Sequence, residues 1–189
     1  ITNSRSSGGP TLMSTLNRCK TPMGKRLLHQ WCIQPSRDGS VLNQRLDAVE
    51  ELITCKQSDD LKETLSQISD LERIAARIGL MNARPKDFLA LKDSLHCCPI
   101  LQNQLSQTPA LLYLVKRMEF PEDLCIELDR AVADNPPNFI RDGGFFKEGY
   151  DHQLDELRAL SHNHQEKLES FEKNEQEKTG LSSLKITYN

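Results

Sequence analysis

Residues 150–178 read YDHQLDELRALSHNHQEKLESFEKNEQEK, and they decide the fold. The stretch holds neither Pro nor Gly, so nothing in it interrupts a helix. Side chains recur at alternating spacings of four and three, which is the a/d seam of a helix that packs along another helix. The seam consists of Tyr150, Leu154, Leu157, Ser161, His164, Leu168 and Phe171. At 1.5 Å per residue the helix is about 40 Å long.

A helix of that length needs an antiparallel partner to cover its seam. The chain ends at Asn189, before a second helix of this length can form. We therefore expect residues 147–189 to be half of a projecting coiled-coil arm in a fragment cut from a larger protein. The apolar stripe could pair weakly with a second copy of the chain. Otherwise its end would fray.

Composition favours elongated helices. The mean hydropathy of −0.56 is low for a compact globule. Charge is uneven, because residues 1–38 carry six Arg or Lys and one acid, whereas residues 148–178 carry nine acids and four bases. Any contact with DNA must therefore be local. The six cysteines form no CxxC pair, which indicates reduced cytosolic thiols. No apolar run is long enough to span a membrane.

Helix signals fill the chain before the arm. Residues 1–10 are a Gly-rich linker by composition, and a short helix follows from Thr11 to Arg18. Other starts are Thr21-Pro22, Pro85, Thr108-Pro109 and Pro121. Ser69 and Glu72 have capping-box spacing, with Ser69 as the N-cap. The fold class is all-α: an elongated helical bundle, a long arm and a minor β element.

Three further side chains are expected to have structural roles. Trp31 shares a face with Leu27 and Leu28, so we expect it in the core. Arg73 and Arg77 lie one helical turn apart. We expect them to form ion pairs with a neighbouring helix such as that of Asp47, Glu50 and Glu51, rather than to bind a ligand.

The run from Phe139 to Phe146 has two short apolar stretches around Asp142-Gly143-Gly144. This pattern predicts a small β-hairpin. The Gly pair could cradle a phosphate, but no P-loop helix follows it. A turn pinned by Asp142 is therefore the favoured interpretation.

His96-Cys97-Cys98 could be a metal or redox site, but adjacent cysteines chelate poorly and no second cluster has zinc spacing. Half-buried thiols in a helix are favoured. His162 and His164 point to different helix faces and cannot share a metal. No nucleophile elbow is present. We therefore predict no catalytic, cofactor or metal residue.

Several segments together resemble the MutS family of DNA mismatch-recognition ATPases, of the bacterial type. Their order and spacing carry the resemblance across nearly the whole chain. They are residues 21–26 (TPMGKR), Trp31, Pro35, 45–50 (RLDAVE), 70–73 (DLER), Ala76-Arg77, 83–85 (ARP), Pro136-Pro137, 141–144 (RDGG), 154–156 (LDE) and 179–181 (TGL).

The resemblance implies that residues 11–146 are the helical core, or lever, domain and that residues 147–189 are the first half of the clamp. It implies a role in transmitting nucleotide state to a clamp that touches the DNA backbone. Lys178 and Lys185 are the candidate phosphate contacts. The parent protein would be a cytoplasmic homodimer that binds ATP and Mg²⁺.

Two motifs of the family are absent from this chain. The phosphate-binding loop GxxxxGK[ST] does not occur, so the fragment should bind no ATP. Phe120-Pro121-Glu122 has the spacing of the mismatch-wedging motif only by accident, at a helix start. The rival interpretation is a free-standing helical module whose long helix binds a partner protein.

Overall fold

The computed structural model describes residues 11–55, 58–180 and 185, with backbone alone for residues 162–168. Nine α-helices lie in this described part: α1 (Leu12–Leu16), α2 (Pro22–Ile33), α3 (Gly39–Thr54), α4 (Ser58–Ser66), α5 (Leu71–Gly79), α6 (Pro85–Ser106), α7 (Leu112–Val115), α8 (Glu122–Ala131) and α9 (His152–Thr179). Two 3-10 turns, Pro109–Leu111 and Ile140–Asp142, complete the set. The all-α prediction is confirmed.

No helix in the described ranges is long and apolar enough to cross a membrane. By contact, the chain divides into two compact units, residues 1–145 and 146–189. The predicted linker, residues 1–10, lies outside the described residues.

Helix α6 is the centre of the first unit. It contacts α4, α5, α7 and α8. Its buried Cys97 and Leu101 form a core cluster with Leu61 of α4 and Ile68 in the loop after it. Partly buried side chains close this cluster from other elements: Met23, Leu52, Leu65, Leu71, Leu105 and Met118. Helices α2 to α5 are therefore organised around one face of α6.

A buried hydroxyl joins α6 to the start of α5. Ser94 is fully buried, and its Oγ accepts the backbone N–H of Ser69 at 2.9 Å. The same hydroxyl donates to the Ala90 carbonyl at 2.6 Å. Burial of a hydroxyl is tolerated here because both of its hydrogen-bonding roles are used.

The predicted helix start at Thr21 is confirmed, because its side chain accepts the Gly24 N–H at 3.0 Å. The N-cap assigned to Ser69 is wrong. Asp70 caps α5 by accepting the Arg73 N–H, whereas Ser69 contributes its backbone N–H to Ser94. A carboxylate can cap a helix as well as a hydroxyl can. The sequence alone therefore does not decide which of these two adjacent residues is the N-cap.

The predicted β-hairpin is wrong as well. Residues 140–142 form a 3-10 turn, in which the Asp142 N–H donates to the Phe139 carbonyl at 3.1 Å. Gly143 and Gly144 follow with φ of 73° and 74°, a conformation that disfavours side chains. Beyond the turn, the Phe145 carbonyl accepts the Ala133 N–H instead of pairing with residues 139–140. The ring of Phe145 packs on Phe88 of α6 at 5.5 Å between centroids.

The second unit consists of one long helix, α9, with a short loop at its start. Asp151 caps α9 by accepting the Leu154 N–H at 2.9 Å, and Gly180 ends the helix in the left-handed conformation. Its 28 residues correspond to about 42 Å. Arg158 donates to the Phe146 carbonyl at 3.0 Å, which folds the loop back onto the first turns.

Candidate functional site in the helical core

Arg26 of α2 forms the best-connected ion pair in the described part of the chain. Its guanidinium binds both Asp70 carboxylate oxygens at 2.7 Å, a bidentate arrangement. It also binds the exposed carboxylate of Glu72, with Nε 3.1 Å from Oε2. Asp70, and then Glu72, raise the pKa of the guanidinium, while Arg26 lowers the pKa of Asp70 to about 2. This network joins α2 to the first turn of α5.

Arg77 makes a second bidentate pair, at the other end of α5. Its Nε lies 2.9 Å from Oδ2 of Asp87, and its Nη2 lies 2.5 Å from Oδ1 of the same carboxylate. Asp87 also accepts the Arg84 N–H at 2.9 Å, and Arg77 holds the pKa of Asp87 below its usual value. The pair joins α5 to the first turn of α6. The two networks therefore connect α2, α5 and α6 in series.

The expected ion pairing of Arg73 and Arg77 is confirmed, but the expected partners are wrong. Arg73 lies 3.6 Å from Asp70 on its own helix start, and Arg77 binds Asp87. Among the acids of α3, Glu51 instead accepts the Ala110 N–H at 2.9 Å. Glu72 pairs with Arg26 rather than closing a capping box with Ser69.

Trp31 is 39% exposed, so its predicted place in the core is wrong. The guanidinium of Arg45, on α3, lies 3.7 Å from the centroid of its ring. This is a cation–π contact at the surface, and the indole joins α2 to α3 through it. Trp31 and Leu27 share an apolar face of α2, as the sequence indicated. That face is only partly covered, because Leu27 is also 45% exposed.

Helix α3 presents an exposed apolar stripe at helical spacing. It consists of Leu42, Leu46, Val49 and Ile53, which are 39%, 64%, 53% and 71% exposed. Scattered apolar side chains on a surface are ordinary, but four on one face form a contiguous patch of the kind that marks a protein interface. The spacing of these side chains indicates an amphipathic helix, but it does not show whether their face is covered.

A groove of about 590 Å³ lies where α1 approaches α2. Met13 contributes an apolar wall, and Lys25, Arg26 and His29 contribute positive or titratable edges. The groove is open to solvent. Its lining is suited to packing of another chain segment rather than to enclosing a small substrate.

His96 lies beside residues of α8 rather than acting with its sequence neighbours. Its Nε2 is 3.0 Å from Oδ1 of Asp129, and the Cys125 Sγ is 3.9 Å from each ring nitrogen. Cys97 instead points toward the Asp93 carbonyl, and Cys98 toward the Ser94 carbonyl. The sequence singled out His96, but its partners are 29 and 33 residues away and could not be found from local spacing.

This trio does not have the properties of a nucleophilic cysteine site. Cys125 is only 5% exposed, and burial, followed by the nearby Asp129, raises the pKa of its thiol. A cysteine nucleophile needs the opposite, an accessible thiol with a lowered pKa.

The two candidate DNA-contact residues lie in the second unit. Lys178 is largely exposed, with Nζ 2.8 Å from the Glu175 carboxylate one turn earlier. Lys185 is exposed. Asp142 lies in the first unit, 3.8 Å from Arg141, and the turn there is closed by its backbone N–H.

The model of a protein family described as MutS domain III matches residues 1–183. The match covers almost the whole chain and both of its compact units. The chain belongs to the MutS family. MutS proteins act in DNA mismatch repair, and domain III is a non-catalytic, helical domain of the family. The resemblance inferred from residues 21–26, 70–73 and 141–144 is thereby confirmed.

Proposed function

We propose that this MutS domain III is the core, or lever, domain of a DNA mismatch-recognition ATPase together with the first half of its clamp arm. It performs no chemistry. Its helices transmit the nucleotide state of the ATPase to the clamp on DNA. The observation that carries this proposal is the serial bidentate linkage of α2, α5 and α6 within a chain matched to domain III.

A lever must move as a body, and paired side chains that cross between helices supply that property. Arg26 holds α2 to α5, and Arg77 holds α5 to α6, the central helix. Planar guanidinium groups bound through two contacts fix orientation as well as distance. A displacement applied to α2 would therefore reach α6 without being absorbed by loops.

The exposed stripe on α3 supports a role as one domain among several. Leu46 and Ile53, 64% and 71% exposed, are costly to leave in water. We propose that other domains of the parent protein cover this stripe. The parent is proposed to be a cytoplasmic homodimer, with ATP and Mg²⁺ bound outside this chain.

The arm helix is proposed to carry the clamp toward duplex DNA. Its outer face is acidic, which suits a spacer better than a DNA-coating surface. Lys178 and Lys185 are the basic side chains nearest its far end, so they are the proposed phosphate contacts.

The test uses the complete parent protein with Asp70→Asn, which keeps an N-cap but removes the charge that holds Arg26. We expect ATP hydrolysis and mismatch binding to persist while ATP-triggered release of mismatched DNA slows. Arg73→Ala is the matched control, because Arg73 lies 3.6 Å from the same carboxylate but crosses no helix boundary. Normal ATP-triggered release in Asp70→Asn would contradict transmission through this network.

The second candidate function is a free-standing helical interaction module, and the exposed α3 stripe is the observation that favours it. The reading frame distinguishes the two. A P-loop ATPase encoded after Asn189 supports the lever. A stop codon there, together with a stable complex formed through Leu46 and Ile53, supports the module.

A further inference from the structure

We propose that His96, Cys125 and Asp129 bind a zinc ion that joins α6 to α8. The three side chains each offer one ligand atom, and these atoms all lie within 4.8 Å of one another. The inference does not depend on the lever function, because it concerns a pair of helices inside the first unit.

The helix register brings the ligands together. Cys125 and Asp129 are four residues apart on α8, so they share one face of that helix. Helices α6 and α8 pack against each other, and His96 projects from α6 to this face. The arrangement therefore depends on packing of helices, rather than on a flexible loop.

Two of the three separations between ligand atoms are close to those of a tetrahedral zinc site. Zn–N and Zn–O bonds of about 2.1 Å and a Zn–S bond of about 2.3 Å place N and O about 3.4 Å apart, and N and S about 3.6 Å apart. The observed separations are 3.0 Å from Nε2 to Oδ1 and 3.9 Å from Nε2 to Sγ. Each differs from the ideal by about 0.4 Å or less, and the third pair, Oδ1 and Sγ, lies within 4.8 Å. Because Sγ is equally distant from both ring nitrogens, the imidazole must turn so that the Nε2 lone pair faces the ion.

The donor set selects the metal. Imidazole and thiolate are ligands of zinc and other borderline or soft cations, whereas calcium and magnesium prefer oxygen ligands. Three protein ligands leave a fourth position. His96 and Asp129 have side chains that are 52% and 45% exposed, so the ion has access from solvent and water can fill that position.

Cys125 makes the site more than a surface ion pair. A His–Asp contact alone is ordinary on a protein surface. Here a thiol that is 5% exposed lies beside both ring nitrogens. A bound zinc ion would displace the proton of this thiol and stabilise the thiolate.

The proposal is tested on this chain with Zn²⁺ and Co²⁺. We expect one equivalent of Zn²⁺ by calorimetry, a higher melting temperature with Zn²⁺, and a thiolate-to-cobalt charge-transfer band with Co²⁺. Asp129→Asn should weaken binding about tenfold or more, and Cys125→Ser should abolish the charge-transfer band. Asp129 is half-exposed and outside the buried core, so Asp129→Asn tests the site with little change to the packing.

Matched controls are Cys98→Ser and His152→Gln. Cys98 lies two residues from His96 but directs its thiol to the Ser94 carbonyl, and His152 is an exposed histidine of α9. Both variants should keep the stoichiometry and the band. Absence of stoichiometric binding, or a band that survives Cys125→Ser in a protein of unchanged helical content, would overturn the proposal.

Discussion

Asp70 has two roles at one position. It caps α5 through the Arg73 N–H and accepts both arms of the Arg26 guanidinium. Its side chain is 17% exposed, so the charge is partly withdrawn from water and depends on these partners. Ser69, its neighbour, contributes only a backbone N–H to the interaction with Ser94.

The first prediction compares these neighbours. Asp70→Ala removes the cap and leaves Arg26 with Glu72 alone, so we expect a loss of roughly 1–2 kcal/mol in the free energy of unfolding. Ser69→Ala keeps the backbone N–H and should change stability by less than about 0.5 kcal/mol. Urea denaturation of both variants gives the ranking. Equal losses would show that the Ser69 hydroxyl has a role of its own.

The second prediction concerns pH. Because Arg26 lowers the folded-state pKa of Asp70 to about 2, its ionised form stabilises the fold at neutral pH. This contribution is complete above the unfolded-state pKa, about 3.9, and is lost as pH falls toward 2.

Asp70→Asn mimics the protonated state at every pH. The difference in stability between the parent and this variant should therefore be largest near pH 7 and shrink between pH 4 and 2. Urea denaturation across this range measures the difference. A difference that stays constant with pH would contradict the assigned pKa.

The two arginines on α5 differ in whether their ion pairs join that helix to another one. Arg77 crosses to α6 and makes two contacts with Asp87, whereas Arg73 is 71% exposed and its pair with Asp70 stays at its own helix start. Arg77→Ala should lower the thermal midpoint clearly more than Arg73→Ala does, since it also leaves Asp87 without its main partner. Thermal melts at moderate salt measure both. Equal midpoints would mean that packing alone fixes α5 on α6.

Helix starts were predictable because their causes are local. Thr21-Pro22 acts within one turn, and Pro85 begins α6 as expected. Helix α4 was missed, although Leu61 and Leu65 lie one turn apart, because its remaining sequence is polar. The hairpin failed because Phe145 pairs with Ala133, a contact that no turn signal between residues 139 and 146 encodes.

Side-chain partners across elements were not predictable for the same physical reason. The carboxylate that binds Arg26 lies 44 residues away, and the thiol beside His96 lies 29 residues away. Sequence periodicity assigns a face to each residue but does not say which helix covers that face. Trp31 shows the limit, because an apolar face on α2 proved to be partly exposed.

For the whole molecule, the absence of two family motifs and the acidic charge of residues 148–178 bear on the binding of ATP and DNA. We expect this chain to bind neither ATP nor a G·T mismatched duplex with micromolar or tighter affinity, since the P-loop and the wedge motif are absent and residues 148–178 are acidic. Titrations with a labelled nucleotide and duplex test both expectations. Weak DNA binding through Lys178 and Lys185 would have a log–log salt slope no steeper than about −2. Tight binding of either ligand would contradict the prediction.

The last prediction concerns the seam of α9. Leu157 and Phe171 are 63% and 58% exposed, and the seam repeats at heptad spacing, so a second copy can cover it by antiparallel pairing. Ser161 and His164 interrupt the apolar seam, so the dimer should be weak and form only at high concentration. Sedimentation should detect it, and Leu157→Glu with Phe171→Glu should abolish it. Ala159→Glu with Ser170→Glu adds the same charge on the opposite face and should leave it intact. A dimer that survives the seam variant must use another surface, and a monomer at millimolar concentration would show that the seam needs no partner.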